Sequence, residues 1–165
     1  MTSRVDGWDA AFAADILQHI HKLRGTMPPF AGNEEDRKAL GSYLAGLNPP
    51  WQFTITDANR LEIGEKVFNS RCGHCHTVNG KFRPLRGVFE KQTPSQVQDM
   101  FPVLGSMSPD MPNFNAPDDQ AQALAFYIST EANKPLPPGA ASPEMPTGST
   151  KSQLMRPNGP LQEVR

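Results

Sequence analysis

The stretch that decides the fold is Cys72-Gly73-His74-Cys75-His76. Two thiols stand two residues apart and an imidazole follows at once. The chain has 2 cysteines in all. A four-thiolate zinc site therefore lacks its donors. A redox dithiol of the thioredoxin kind wants a βαβ surrounding, and the flanking sequence has none. A disulfide beside an incidental histidine is the plain structural alternative. The reading that uses all three side chains is Cys-x-x-Cys-His, the attachment pattern of a c-type haem. Each thiol adds across a vinyl group of the porphyrin to become a thioether, and His76 is then held under the iron as proximal ligand. Two intervening residues let one tight turn span the macrocycle edge, and adjacency leaves His76 little freedom to miss the metal.

Helical patterning surrounds this stretch on both sides. Asp9–Leu23 is amphipathic, with Phe12, Ile16, Leu17, Ile20 and Leu23 at helical spacing. It ends at Gly25, before an extended Met27-Pro28-Pro29-Phe30. A second helix is expected from Asn33 to Gly46. Asn33 is its cap, and Glu34, Glu35 and Asp36 sit in the first turn, where the helix dipole favours acids. Trp51–Thr54 reads as a linker. A third helix is expected from Asp57 to Asn69, carrying Leu61, Ile63, Val67 and Phe68, with the Cys-x-x-Cys-His motif directly after it. Lys81–Gly87 reads as a loop. Pro94–Leu104 reads as a fourth helix capped by Thr93, with Val97, Met100, Phe101 and Leu104 on one face. Ser106–Ala116 reads as a Met- and Pro-rich loop, and Asp118–Thr130 as a fifth helix with Leu124, Tyr127 and Ile128 inward. The expected class is all-α. Beyond Asn133 the pattern stops. Residues 133–165 are rich in Pro, Gly and Ser and carry too few apolar side chains to offset the entropy of ordering. They read as a tail, either a tether or an arm that lies along a partner.

The chain repeats itself at an offset of 84 residues. Met27-Pro28-Pro29-Phe30 falls on Met111-Pro112-Asn113-Phe114, Ala39, Leu40 and Tyr43 on Ala123, Leu124 and Tyr127, and Ile16, Leu17 and Ile20 on Met100, Phe101 and Leu104. The second copy has the Cys-x-x-Cys-His motif in front of it; for the first, that position falls before residue 1. Residues 1–50 thus read as the back half of a second haem domain with no attachment motif, 51–132 as a complete one, and 133–165 as the tail. Three accounts of the missing half stand open: loss that leaves a packing module, a separate polypeptide whose haem Met27 reaches, or a truncated sequence.

Composition bounds the function classes. A chain of 165 residues with 37% hydrophobic residues is one ordinary domain or two very small ones. Mean hydropathy is −0.52, and no run approaches the roughly 18 apolar residues of a membrane span. A formal net charge of −1 argues against nucleic acid as a partner. Haem attachment of this kind takes place outside the cytoplasm, so a periplasmic or otherwise extracytoplasmic location is expected. Met1–Leu23 nevertheless lacks the basic start and apolar core of a signal peptide.

Gly64-Glu65-Lys66-Val67-Phe68, the motif Cys72–His76, Arg83-Pro84-Leu85 and Met111-Pro112-Asn113-Phe114 together resemble the class I cytochrome c family. The resemblance covers Ile55–Glu131 well and Asp9–Asn48 in part. It implies one covalent haem c on Cys72 and Cys75, with His76 as proximal and Met111 as distal iron ligand through its thioether sulfur. It implies that the Pro84 carbonyl accepts from the His76 ring N–H and fixes its tautomer. It also implies that Phe68 and Tyr127 meet at a helix–helix contact in the haem environment. Met107, four residues before Met111, is the rival ligand; Met111 is favoured because Met-Pro-x-Phe recurs in both copies, whereas Met107 falls on Leu23. The plain alternative for Met111 is a gap-filler in the core. Where the family often has Gly soon after the Pro-Leu pair, this chain has Arg86 before Gly87. His19 and His21 read as exposed or capping residues, and His74 as pointing away from the haem.

With His and Met both on the iron, no position is open for substrate, and thioether ligation raises the potential. The expected function is one-electron transfer as a subunit of a larger redox complex, contacted through the N-terminal module and the tail. Two competitors stay in view. One is a five-coordinate haem enzyme or sensor, peroxidase-like, which needs an open iron. The other is a mainly structural adaptor in a redox complex.

Overall fold

The computed structural model describes residues 5–23, 27–48, 51–108, 111–112, 114 and 115–136. Seven helices follow in order: α1 Ala10–Leu23, α2 Glu34–Gly46, α3 Arg60–Arg71, α4 Arg86–Phe89, α5 Pro94–Asp99, α6 Leu104–Met107 and α7 Asp118–Asn133. A 3₁₀ turn, Phe101–Val103, joins α5 to α6. Among the described residues there is no strand, only an isolated bridge between Thr77 and Pro84. The fold is all-α. Most of the tail read at 133–165 lies outside the described residues.

Local chemistry sets the helix ends. Asp9 accepts from the Phe12 N–H at 2.8 Å and starts α1. Asn33 and Asp36 form a reciprocal capping box at α2, and Thr93 and Gln96 do the same at α5. Several expected boundaries differ, and α7 runs on to Asn133, past the expected Thr130. The third helix begins at Arg60 instead of Asp57, because Asn59 Oδ1 accepts from the Thr56 N–H at 2.7 Å and closes a turn there. The expected fourth helix is broken into three pieces, because Pro102 has no N–H to continue the ladder. The loop expected at Lys81–Gly87 ends in α4, one helical turn.

The core forms where α3 crosses α7. Val67, Val97, Ala123, Leu124 and Ala125 are fully buried, with Ile63, Phe68, Phe89, Phe101 and Ile128 around them. Leu61, expected on the buried face of α3, is 37% exposed. Gly64 lies at the crossing point: a Cβ there would meet the Ala123 carbonyl and stand 2.7 Å from Tyr127 Cβ. Burial of Leu124 and Ile128 contributes on the order of 2 kcal/mol each. Behind the core, Arg86 is almost fully buried, and both of its terminal nitrogens are engaged. Its guanidinium donates to Asn79 Oδ1 at 2.9 Å and to the Lys134 carbonyl at 2.7 Å, and it faces Glu90 at 3.5 Å.

The N-terminal helices pack on each other through Gly41, where a Cβ would stand 2.8 Å from the Ala10 carbonyl. They are fastened to the end of α3 by polar contacts. Trp8 Nε1 donates to the Ser70 carbonyl at 3.1 Å, Ser70 Oγ donates to the Asp6 carbonyl, and Trp51 Nε1 donates to Asp6 Oδ1 at 2.9 Å. Arg71 bridges to Asp9 at 2.9 Å and donates to the Gly7 carbonyl at 3.0 Å.

Candidate haem-binding site

The motif continues α3 by one turn. The N–H groups of Cys72 and Gly73 both donate to the Phe68 carbonyl at 2.7 Å, and those of Cys75 and His76 donate to the Cys72 carbonyl at 3.0 and 2.9 Å. This coil brings Cys72, Cys75 and His76 to the wall of a single cavity of about 500 Å³. Pro84, Met107 and Met111 line the same cavity, with Leu85, Val88, Phe89, Met100, Leu104 and Phe114 among the apolar walls. Ligand pockets of roughly 300–1,000 Å³ with apolar walls and a few converging polar groups are the usual shape for a cofactor site.

His76 is oriented by its neighbours. Its Nδ1 lies 3.0 Å from the Arg83 carbonyl, which can only accept, so Nδ1 carries the proton and Nε2 keeps its lone pair. The acceptor is therefore Arg83 and not Pro84, one residue later, to which the resemblance gives the role. Arg83 holds a left-handed φ of 40°, which turns its carbonyl toward the ring. Pro84 instead bridges Thr77 and forms part of the cavity wall. Burial pushes the His76 pKa down, only partly countered by the Arg83 carbonyl, and so favours the uncharged ring. Burial also pushes the Cys72 thiol up to about 12, which keeps it protonated and unreactive as a free nucleophile. Neither cysteine forms a disulfide.

The remaining expected residues divide. Met107 is 58% exposed at the rim and Met111 is half-buried, with its N–H on the Ser108 carbonyl at 3.0 Å. Phe68 and Tyr127 pack on each other with ring centroids 5.4 Å apart, as the resemblance implies; neither is part of the cavity wall. Their contact holds α3 against α7 and so positions the motif. Met27 is 44% exposed and is not part of the wall either. His74, expected to point away, lies on the wall with its ring 6.0 Å from Trp8.

Sequence reading missed several contributors to the wall, among them Phe12, Ile16, Arg71, Val88 and Phe89. Phe12 and Ile16 read as the apolar face of a separate helix, and Arg71, Val88 and Phe89 fall outside every expected element. The repeat held a usable signal, since Ile16 is the counterpart of Met100, and Met100 lines this cavity.

The donor set fits a covalently attached haem. Two thiols at the motif spacing, a neutral imidazole with a free Nε2 and a thioether face one apolar cavity, and their elements hold them there. An all-α fold of this kind with this motif at the end of its first core helix defines a class I c-type cytochrome domain, a class that carries covalent haem c and works by haem-based electron transfer. Residues 59–128 match the family described as Cytochrome C oxidase, cbb3-type, subunit III. No curated protein and no solved structure gives a significant match. Among the described residues no helix is long and apolar enough to cross a membrane.

Proposed function

We propose that the chain carries electrons one at a time through a single haem c bonded to Cys72 and Cys75, with His76 as proximal and Met111 as distal iron ligand. The observation that carries this reading is the convergence of these four side chains on one apolar cavity. The bound haem supplies a one-electron iron couple. The protein's own contribution is orientation and exclusion of water. The Arg83 carbonyl aligns His76, and the surrounding Leu, Val, Phe and Met side chains keep the surroundings of the iron dry, so little reorganises when charge changes. Met111 is preferred over Met107 because it is the less exposed of the two, and a ligand sulfur shielded from water is harder to displace.

The compartment in this reading is extracytoplasmic, because haem is attached to such motifs outside the cytoplasm. The chain acts as a subunit of a larger redox complex, a role in keeping with the description of the family that residues 59–128 match. Residues 1–50 and the segment beyond 132 are its additions to the cytochrome domain.

Near-infrared absorption of the haem-loaded full chain tests the ligand set. The oxidised protein is expected to show a thioether–iron band that Met111→Ala abolishes and Met107→Ala leaves in place. Loss of the band in Met107→Ala alone would move the ligand to Met107. Absence of the band in the parent chain would leave the iron open and return the five-coordinate enzyme or sensor reading.

A further inference from the structure

The first helix of the N-terminal copy of the repeat faces the haem cavity of the second copy. Ile16 and Met100 occupy equivalent places in the two copies, and both line the cavity behind Cys72, Cys75 and His76. Phe12 joins them there, 2% exposed, with its ring set edge-on to Trp8 at 5.3 Å. The face of α1 that its repeat counterpart turns to a haem is thus already used, on the haem of the neighbouring domain. The fastening is specific. The Arg71 side chain, 4% exposed, is paired with Asp9 and stands over the rings of Phe12 at 5.1 Å and Phe114 at 5.8 Å. One buried cation thereby touches the N-terminal segment, α3 and the segment that follows Met111.

We propose that α1 is a second wall of the haem crevice: Phe12 and Ile16 seal the cavity on the side of Cys72 and His74, and Arg71 locks them in place, so the N-terminal half-domain tunes a haem that it does not bind covalently. The proposal rests on the electron-transfer reading above. An apolar wall lowers the local dielectric and disfavours the oxidised haem, which carries one more positive charge than the reduced one. The guanidinium of Arg71 is paired with Asp9, so its part is to hold the wall in place. The wall raises the potential and also keeps small solutes from the haem edge. Phe12 and Ile16 act as positioning and shielding residues and bond to nothing that reacts.

The test uses the full chain with haem attached and two readouts. One is the midpoint potential. The other is the second-order rate at which ferricyanide, a small anionic oxidant, takes one electron from the reduced protein. Phe12→Ala is expected to lower the potential and to raise the ferricyanide rate several-fold, with haem content and the thioether band retained. Phe12→Leu, which refills most of the volume, should return both values toward the parent. Tyr43→Ser, on the outer face of α2, should change neither. If Phe12→Ala does not accumulate as folded protein, Ile16→Ser decides by the same two readouts. A haem-loaded variant with parent-like potential and rate overturns the proposal alone. A parent chain that carries no covalent haem overturns the electron-transfer reading and the proposal with it.

Discussion

The two copies of the helix–Met-Pro–helix unit share their boundaries and differ in what covers them. At the repeat offset, α1 coincides with the span from the start of α5 to the end of α6, and α2 starts where α7 starts. The burial of equivalent side chains is very different. Ala123 and Leu124 are fully buried, whereas Ala39 is exposed and Leu40 half-buried. Tyr127 packs on Phe68, whereas Tyr43 is 64% exposed. Met111 lines the cavity, whereas Met27 does not. Among the described residues α3 receives this face in the second copy, with Gly64 allowing close approach. Capping residues and periodicity therefore specify the helix, and the partner helix specifies its environment. Similar local sequence in two contexts gives one core and one surface.

Paired substitutions at equivalent positions measure that difference. The largest effect is expected at Leu124→Ala, which empties a site with no exposure and should cost about 2–5 kcal/mol in urea unfolding of the haem-loaded chain. Leu40→Ala, its half-buried counterpart, should cost under about half as much. Equal losses would show that α2 is covered in solution as α7 is in the fold.

The second effect is a pH dependence at Tyr127. Burial raises the Tyr127 pKa from its ordinary 10.0 to about 12, with the carboxylates of Glu65 and Glu131 adding to the shift. Folding thus favours the neutral phenol. The stability it contributes is complete below the ordinary pKa, and it is lost as pH rises from 10 toward 12. Thermal melts should fall through that window, and Tyr127→Phe should flatten the fall. A fall that persists undiminished in Tyr127→Phe would assign it to other groups. The smallest effect is expected at Tyr43→Ser, within about 0.5 kcal/mol of the parent, because the ring has little packing to lose. A loss several times larger would sink the picture of α2 as an uncovered helix.

Much of this was legible in the sequence, for physical reasons that can be named. Asn33 with its following acids and Thr93 before a proline are local signals, and they gave helix starts that hold to one residue. The motif carries its geometry within five residues, so Cys72, Cys75 and His76 converge as expected. What escaped lies partly in local backbone geometry and partly in long-range contact. The acceptor for His76 is Arg83 and not Pro84, a shift set by the left-handed turn at Arg83. Pro102 sits inside a convincing periodic run and still breaks the helix. Phe12 and Ile16 lie more than fifty residues before Arg71 along the chain and join it on the cavity wall only through the docked N-terminal segment.

Arg86, which departs from the usual glycine of the family pattern, ties the residue that caps α7 to the loop that follows the haem-attachment motif. Its guanidinium holds Asn79 on one side and the Lys134 carbonyl on the other. Lys134 therefore has a fixed place relative to that loop, so a load applied to the chain there passes into the loop after the motif as well as into α7. The buried arginine thus acts as a mooring point.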